Sequence, residues 1–227
     1  MWLHQLFDRE SSTYTYLIAS QGNAALIDPV REQLERDLSL VGELGLRLTH
    51  VLETHVHADH VTAASLLRER TGAITCASAA GAPCVDLQLQ HGSVVRIGDV
   101  PITALATPGH TDDSMSLLVP GAVFTGDTLL IRGCGRADFQ NGDPGRLYDS
   151  ITKTLFVLPD ETLVYPGHDY KGRTASTIAE EKQHNPRLAG KTREQFIALM
   201  NQLGLPPPQK LAESVPANRA CGKGATS

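Results

Sequence analysis

Hydrophobic and polar positions change their spacing several times along the chain, which predicts a fold of mixed strands and helices. Apolar runs on either side of a Gly-containing turn predict a β-hairpin over residues 14–28. Apolar residues three or four apart then predict a helix from Pro29 to about Gly45. Further strands are predicted at 49–54, 74–77, 115–119, 122–125 and 162–165, and a hairpin with its turn at Gly98-Asp99 is predicted over 93–106. Further helices are predicted at 61–70, 147–157, 174–184 and 192–202. Hairpins mixed with helices favour an α/β sandwich of two mixed sheets flanked by helices over one parallel sheet.

No internal repeat or linker interrupts this pattern. We therefore expect one domain over residues 1–205. Residues 206–227 begin with three prolines and end in small residues, so they are predicted to form an extended tail.

Composition and charge exclude several classes of function. The 227 residues are 41% hydrophobic and 20% charged, as in globular proteins. The net charge is -5, and no cluster of Lys and Arg marks a nucleic-acid surface. We expect no membrane-spanning or targeting segment. Four dispersed cysteines without a CxxC pair suggest neither a zinc knuckle nor a disulfide framework, which favours a cytoplasmic protein.

Four potential metal ligands stand within six residues, directly after the strand that ends at Thr54. They are His55, His57, Asp59 and His60. Such groups repel one another on protonation and cost free energy to desolvate, so keeping them together is favourable mainly when a cation binds. The alternative is a solvated, His-rich turn.

Three more potential ligands share one local setting, a glycine turn directly after a predicted strand. They are His110, Asp127 and His168, each preceded by Gly. Glycine permits sharp turns, and strand ends at one edge of a sheet converge. The four segments are therefore predicted to build one metal site.

The order of these seven residues resembles the signature of the metallo-β-lactamase superfamily. The resemblance implies a metallo-β-lactamase αββα sandwich. In hydrolases of that superfamily two metals are held, one by the counterparts of His55, His57 and His110 and the other by those of Asp59, His60 and His168. The counterpart of Asp127 bridges the two metals.

A narrower resemblance, to the persulfide dioxygenases, is carried by four other segments. They are residues 124–140, 165–172, 185–188 and 215–218. This resemblance implies one Fe(II) per chain, held by His55, His110 and Asp127 in a two-histidine, one-carboxylate triad. His57, Asp59, His60 and His168 would then surround the iron without binding it.

The same resemblance implies oxidation of glutathione persulfide by O2 to sulfite and glutathione, a step of hydrogen sulfide detoxification. Thr111, Arg136, Tyr170 and Arg187 are the expected substrate contacts, and Asp138 is expected to orient a ligand or Arg136. Arg187 as a surface charge, Tyr170 as a core residue and Asp138 or Asp59 as turn caps are the open alternatives. A redox role for Cys134 also stays open.

The main rival function is that of a glyoxalase II-type hydroxyacylglutathione hydrolase, which has a binuclear site. Residues 136–139 and the short C-terminal region argue against it. A non-catalytic binding module or metal chaperone is a third reading. Family resemblance suggests a homodimer. No rhodanese domain is expected, so a separate sulfurtransferase or sulfide:quinone oxidoreductase would supply the persulfide.

Overall fold

The computed structural model describes residues 1–208 and 210–223. The chain divides into two compact units. Unit 1 comprises residues 1–89, 94–102 and those from 207 onward, and unit 2 comprises residues 90–93 and 103–206. The predicted single domain over residues 1–205 stays a prediction.

Unit 1 is built on a six-stranded mixed sheet of order β1-β2-β3-β4-β5-β6. Its strands are β1 (Trp2–Asp8), β2 (Thr13–Ser20), β3 (Asn23–Ile27), β4 (Arg47–Leu52), β5 (Ile74–Ser78) and β6 (Leu87–Leu89). The pairs β1-β2 and β2-β3 are antiparallel, and the pairs from β3 to β6 are parallel. The predicted hairpin at 14–28 is confirmed as β2 and β3.

Two helices cover this sheet, α1 (Leu34–Glu43) after a 3-10 turn at Arg31–Gln33, and α2 (Ala64–Thr71). Both were predicted from their apolar spacing. Val41 of α1 and Leu67 of α2 pack with Leu17, Leu26 and Val51 of the sheet in one apolar cluster. This core holds β3 and β4 side by side, so that the segments after them begin at one edge of the sheet.

The second sheet is also mixed, with the order β12-β11-β10-β9-β8-β7. Its strands are β7 (Val94–Ile97), β8 (Val100–Ala106), β9 (Met115–Val119), β10 (Ala122–Gly126), β11 (Leu163–Pro166) and β12 (Ser176–Thr177). The β10-β11 pair is parallel, whereas the pairs β8-β9, β9-β10 and β11-β12 are antiparallel. The fold class of two mixed sheets flanked by helices is confirmed.

The helices of unit 2 are α3 (Pro144–Ser150), α4 (Ile178–His184) and α5 (Arg193–Asn201), and α3 continues into a π-helical turn at Ile151–Leu155. Leu147, Ile151 and Phe196 pack against Val123 and Val164 of the sheet. The predicted helix at 174–184 begins four residues later than expected, because 176–177 pair with β11 as a strand.

The expected extended tail at 206–227 is wrong for its middle part, where Leu211–Arg219 form a helix, α6. Proline inside a helix removes one backbone donor, and Pro216 therefore argued against a helix here. Burial of Ser214, Ala217 and Asn218 on one face of α6 accounts for its formation. Residue 209 and residues 224–227 of this predicted tail lie outside the described residues.

The cysteine spacing suggested no disulfide framework, but the structure contains a disulfide. Cys84 and Cys221 form a disulfide across a sequence separation of 137 residues. Spacing along the chain gives no sign of a pair so distant. Cys76 and Cys134 are buried thiols. Among the described residues, no helix has the length and apolar character needed to cross a membrane.

Candidate metal centre

The His-rich loop of unit 1 follows β4 and is tied to the end of the neighbouring strand β3. Asp28, the residue after β3, accepts hydrogen bonds from the backbone N and the Oγ1 of Thr54, both at 2.7 Å. Asp28 is buried and has a φ of 50°. Since β3 and β4 are parallel, this carboxylate fixes where the loop leaves the sheet.

Three imidazoles of this loop lie in a row, with their rings tilted against one another. The ring centroids of His55 and His57 are 4.1 Å apart, and those of His57 and His60 are 4.3 Å apart. All three side chains are buried. The Nδ1 of His55 lies 2.9 Å from the Oγ1 of Thr54, so the Nε2 of His55 is its candidate ligand atom.

Carboxylates surround His57. Its Nε2 lies 3.2 Å from Asp28 Oδ1 and 3.6 Å from Glu53 Oε2. Burial alone lowers the pKa of His57, but the carboxylates, Asp28 first, outweigh burial and raise that pKa. Burial, followed by the charge of Asp28, raises the pKa of Glu53. His57 therefore lies among carboxylates that favour its protonated form.

Asp59 and His60 are hydrogen-bonded to each other. The Nδ1 of His60 lies 2.9 Å from Asp59 Oδ2. The hydroxyl of Thr13, on β2, lies 3.2 Å from the same carboxylate oxygen and 3.3 Å from His60 Nδ1. His57, Asp59 and His60 each offer a ligand atom within 4.8 Å of the others, so this cluster has metal-compatible chemistry of its own.

Unit 2 brings Asp127 and His168 together at the ends of its two parallel strands, β10 and β11. The Nδ1 of His168 donates to Asp127 Oδ1 at 2.7 Å. A Cβ on Gly167 would lie 2.9 Å from that oxygen, so a larger residue there would displace the carboxylate. The predicted convergence of these strand ends is observed for this pair.

His110 joins the same group from the loop after β8. Its Nδ1 donates to the backbone O of Arg136 at 2.6 Å, and its Nε2 lies 3.7 Å from Asp127 Oδ2. A Cβ on Gly135 would lie 2.6 Å from His110 Nδ1, which explains a glycine at that position. One imidazole nitrogen and one carboxylate oxygen are thus placed side by side, as a shared cation requires.

Arg136 lies in an ion pair. Its guanidinium donates to both oxygens of Asp138, at 2.6 and 2.8 Å, and to the backbone O of Leu205 and Pro206. It also stacks on the ring of Phe139 at 4.5 Å. The hydrogen bond to Arg136, more than any other contact, lowers the pKa of Asp138. Through its backbone carbonyl Arg136 orients His110.

The other expected substrate residues differ in exposure. Thr111 is buried, and its hydroxyl lies 2.7 Å from Ser114 Oγ. Tyr170 is 71% exposed, so the alternative that it is a core residue is wrong. Its ring is parallel to that of His168, with centroids 6.2 Å apart. Arg187 is half-buried and donates to the backbone O of Cys134 at 2.5 Å.

Two residues that hold the His-rich loop in place, Asp28 and Asn218, were not assigned a role from the sequence. Asp28 carries the same signal as Asp127, an acid directly after a buried strand, and that signal was sufficient to find it. Asn218 contacts the His-rich loop from a helix 158 residues further along the chain. Its presence in the 215–218 segment marked it without indicating a role.

Comparison with known proteins gives consistent results. The family model described as the metallo-beta-lactamase superfamily matches residues 8–83 and 85–168. Human "Persulfide dioxygenase ETHE1, mitochondrial" is 44% identical, over 97% of the chain and 88% of that protein. A crystal structure of ETHE1 from Myxococcus xanthus is 62% identical with a TM-score of 0.97, over 98% of the chain and 100% of that structure. A hydroxyacylglutathione hydrolase of Cereibacter sphaeroides is 35% identical, over 92% of the chain and 82% of that protein.

Proposed function

The chain belongs to the metallo-beta-lactamase superfamily, and we infer that within it the chain is a persulfide dioxygenase. One observation carries this inference, the near-complete match in both directions to proteins named ETHE1, at 44% identity in sequence and a TM-score of 0.97 in structure. The substrates are a persulfide and O2. The hydrolase relative has a lower identity, 35%.

We propose Fe(II) as the metal, one per chain, with His55, His110 and Asp127 as its ligands. Two imidazoles and one carboxylate are a donor set that ferrous iron accepts. In support, the Nδ1 atoms of His55 and His110 are both engaged by neighbouring oxygens, which directs Nε2 toward a ligand role. When bound, a ferrous ion in such a triad would supply adjacent open positions for the persulfide sulfur and O2.

The hydrogen bonds among the remaining residues favour one iron over two metals. Asp127 is not arranged to bridge two metals through both carboxylate oxygens, because Oδ1 accepts from His168 and only Oδ2 faces His110. Asp59 and His60 likewise bind each other. We propose that His57, Asp59, His60, His168 and Asp138 orient the site without binding the metal.

The substrate we propose is glutathione persulfide, which reacts with O2 and water to give glutathione and sulfite. Tyr170 supports this choice, because an exposed tyrosine stacked on His168 offers a ring face and a hydroxyl beside the site. Arg187 would pair with a carboxylate of the tripeptide. Arg136 and Thr111 would act by orienting other residues of the site. Arg136 holds His110 through its backbone carbonyl, and Thr111 fixes the turn that follows His110.

We also propose which residues of this chain accept the proton that the persulfide loses on binding. A persulfide binds a metal as its anion, so a proton must leave the terminal sulfur. The two His-carboxylate pairs, His168 with Asp127 and His60 with Asp59, are the groups proposed to accept it.

Partners and compartment remain proposals of the same kind. We propose a homodimer, and a separate sulfurtransferase or sulfide:quinone oxidoreductase as the source of persulfide. A cytoplasmic location also stays a prediction. The human relative is named as mitochondrial, and the cysteine pattern that favoured the cytoplasm includes a disulfide.

The decisive experiment measures metal content and O2 uptake on the same sample. The chain is loaded with Fe(II) without oxygen, desalted, analysed for iron and then mixed with glutathione persulfide in an oxygen-electrode cell. We expect about one iron per chain, and equal amounts of O2 consumed and sulfite formed. Two metals per chain, hydrolysis of S-lactoylglutathione and no O2 uptake would establish the hydrolase instead. Metal uptake without either activity would favour the metal chaperone.

A further inference from the structure

The side chain of Asn218 makes three hydrogen bonds to one short segment of the His-rich loop. Its Nδ2 donates to the backbone O of His57 at 2.9 Å and to the backbone O of His60 at 2.8 Å. Its Oδ1 accepts from the backbone N of Thr62 at 2.8 Å. Both amide protons and the amide oxygen are thus used, and Asn218 is buried.

These bonds supply donors to backbone carbonyls of the loop that regular secondary structure does not pair. Residues 53–60 belong to no helix or strand, so their buried carbonyls have no partners within a regular helix or sheet. A buried carbonyl left unpaired destabilises the fold. Asn218 satisfies two of them at once, and therefore selects one conformation of the segment from His57 to His60.

That conformation is transmitted to His55 through side-chain contacts. The ring of His57 stands between those of His55 and His60, 4.1 and 4.3 Å from them. On its other side His55 is held by Thr54 Oγ1. A shift of the main chain at His57 would therefore move the ring of His55.

The end of α6 that carries Asn218 is itself fixed. The disulfide from Cys221 to Cys84 lies three residues further on. The backbone O of Cys221 accepts from Ser65 N at 3.1 Å, and the backbone O of Gly222 accepts from the side chain of Arg31. The helix end is thus attached to the rest of unit 1 at several points, which gives Asn218 a rigid base.

We propose that Asn218 is a positioning residue for the metal centre, which sets the direction of the His55 imidazole by clamping the carbonyls of His57 and His60. The proposal rests on the proposed function, because it assumes that His55 is a metal ligand. It assigns a role to the 215–218 segment and predicts that metal affinity depends on a residue that touches no ligand atom.

The test compares Asn218→Asp with a matched control, Ala217→Gly. Aspartate keeps the oxygen that accepts from Thr62 N. It replaces the amide nitrogen, with its two N–H donors, by a second oxygen that would face the carbonyls of His57 and His60. Ala217→Gly weakens the same helix, because glycine has a low helix propensity, and leaves Asn218 in place. Each purified apo-protein is titrated with Fe(II) under anaerobic conditions, and its thermal unfolding is recorded. Asn218→Ser, a milder change, serves if the aspartate variant does not fold.

We expect Asn218→Asp to bind Fe(II) about ten- to hundredfold more weakly, as for other groups that orient metal ligands. Ala217→Gly should bind within about twofold of the unaltered chain while losing thermal stability. Equal affinities for Asn218→Asp and Ala217→Gly would overturn the positioning role. Failure of the unaltered chain to bind Fe(II) would contradict the proposed function first and this role with it.

Discussion

Asp127 and His168 are joined by a 2.7 Å hydrogen bond between the ends of two parallel strands, and the second oxygen of Asp127 faces His110. The two oxygens of one carboxylate therefore have different partners. This division of roles is one basis for the proposal of one metal rather than two.

The first prediction separates Asp127 from His168. Asp127→Ala should abolish iron binding, because it removes the only carboxylate of the proposed triad. His168→Ala should leave about one iron per chain at saturation but weaken binding about ten- to hundredfold, since it removes an orienting partner. Iron analysis and anaerobic Fe(II) titration measure both. Complete loss of metal in both variants would argue for a ligand role of His168.

The second prediction concerns substrate binding. Arg187→Ala and Tyr170→Ala should raise KM for glutathione persulfide about tenfold or more, with iron content unchanged. Because Tyr170 is 71% exposed, its variant should keep the thermal stability of the parent. Steady-state O2 uptake at varied persulfide concentration checks this. A fall in kcat at constant KM would contradict a binding role.

The third prediction uses two adjacent glutamates that pair with Arg132. Glu181 is fully buried and accepts from Arg132 Nη1, Ser176 Oγ and Asn185 Nδ2, whereas the side chain of Glu180 is 43% exposed. Glu181→Gln should destabilise the chain by about 3 kcal/mol, because it removes the charge of a fully buried carboxylate that pairs with Arg132. Glu180→Gln, the matched control, should cost less than about 1 kcal/mol. Urea unfolding distinguishes them, and similar losses would contradict the burial argument.

The fourth prediction is a pH dependence of stability at Asp37. Burial raises its pKa to about 6, against the hydrogen bond from Arg36. Because the folded pKa lies above the unfolded value, ionisation destabilises the fold as pH rises from about 4 through 6. Asp37→Asn should therefore be more stable than the parent at pH 8 by roughly 3 kcal/mol, and this gain should vanish near pH 4.

Urea unfolding of both proteins at the two pH values measures that difference. Glu35→Gln, at an exposed position of the same helix, is the control and should show no such change. A constant difference between Asp37→Asn and its parent at both pH values would mean that the carboxyl is not the cause.

The fifth prediction concerns the cysteines. Burial raises the pKa of Cys76 to about 12 and also raises that of Cys134, despite the guanidinium of Arg187. Both thiols should resist iodoacetamide in the folded protein at pH 8. Mass spectrometry should find two labels after unfolding without reductant and four with it. Labelling of Cys134 in the native state would support the redox role left open by the sequence.

Local patterns were sufficient to predict most of the secondary structure. The hairpin β2-β3, the helices α1 and α2 and the strand ends before Asp127 and His168 all follow from apolar spacing and glycine turns. Strand β1 was missed because its half-buried residues, from Leu3 to Leu6, give no clear alternation. Helix α6 was missed because Pro216 and the prolines before it mask a buried face.

The contacts that complete the site depend on distant parts of the chain, which no local pattern encodes. Asn218 meets His57 across 161 residues, and Cys84 meets Cys221 across 137. Arg136 shows a different difficulty, since the family resemblance implied a substrate contact while its guanidinium is bound by Asp138. Its backbone carbonyl, which any residue would supply, is what reaches His110.

The position of Asn218 in the chain also has a consequence for biosynthesis. The His-rich loop leaves the ribosome long before its clamp, because 158 residues separate His60 from Asn218. At ordinary rates of translation this interval lasts roughly 8–32 s. During that time the imidazoles of the loop are present without the side chain that orders their backbone. A metal captured then would meet a looser site than the finished fold provides, so selection of the correct ion is a task for the completed chain.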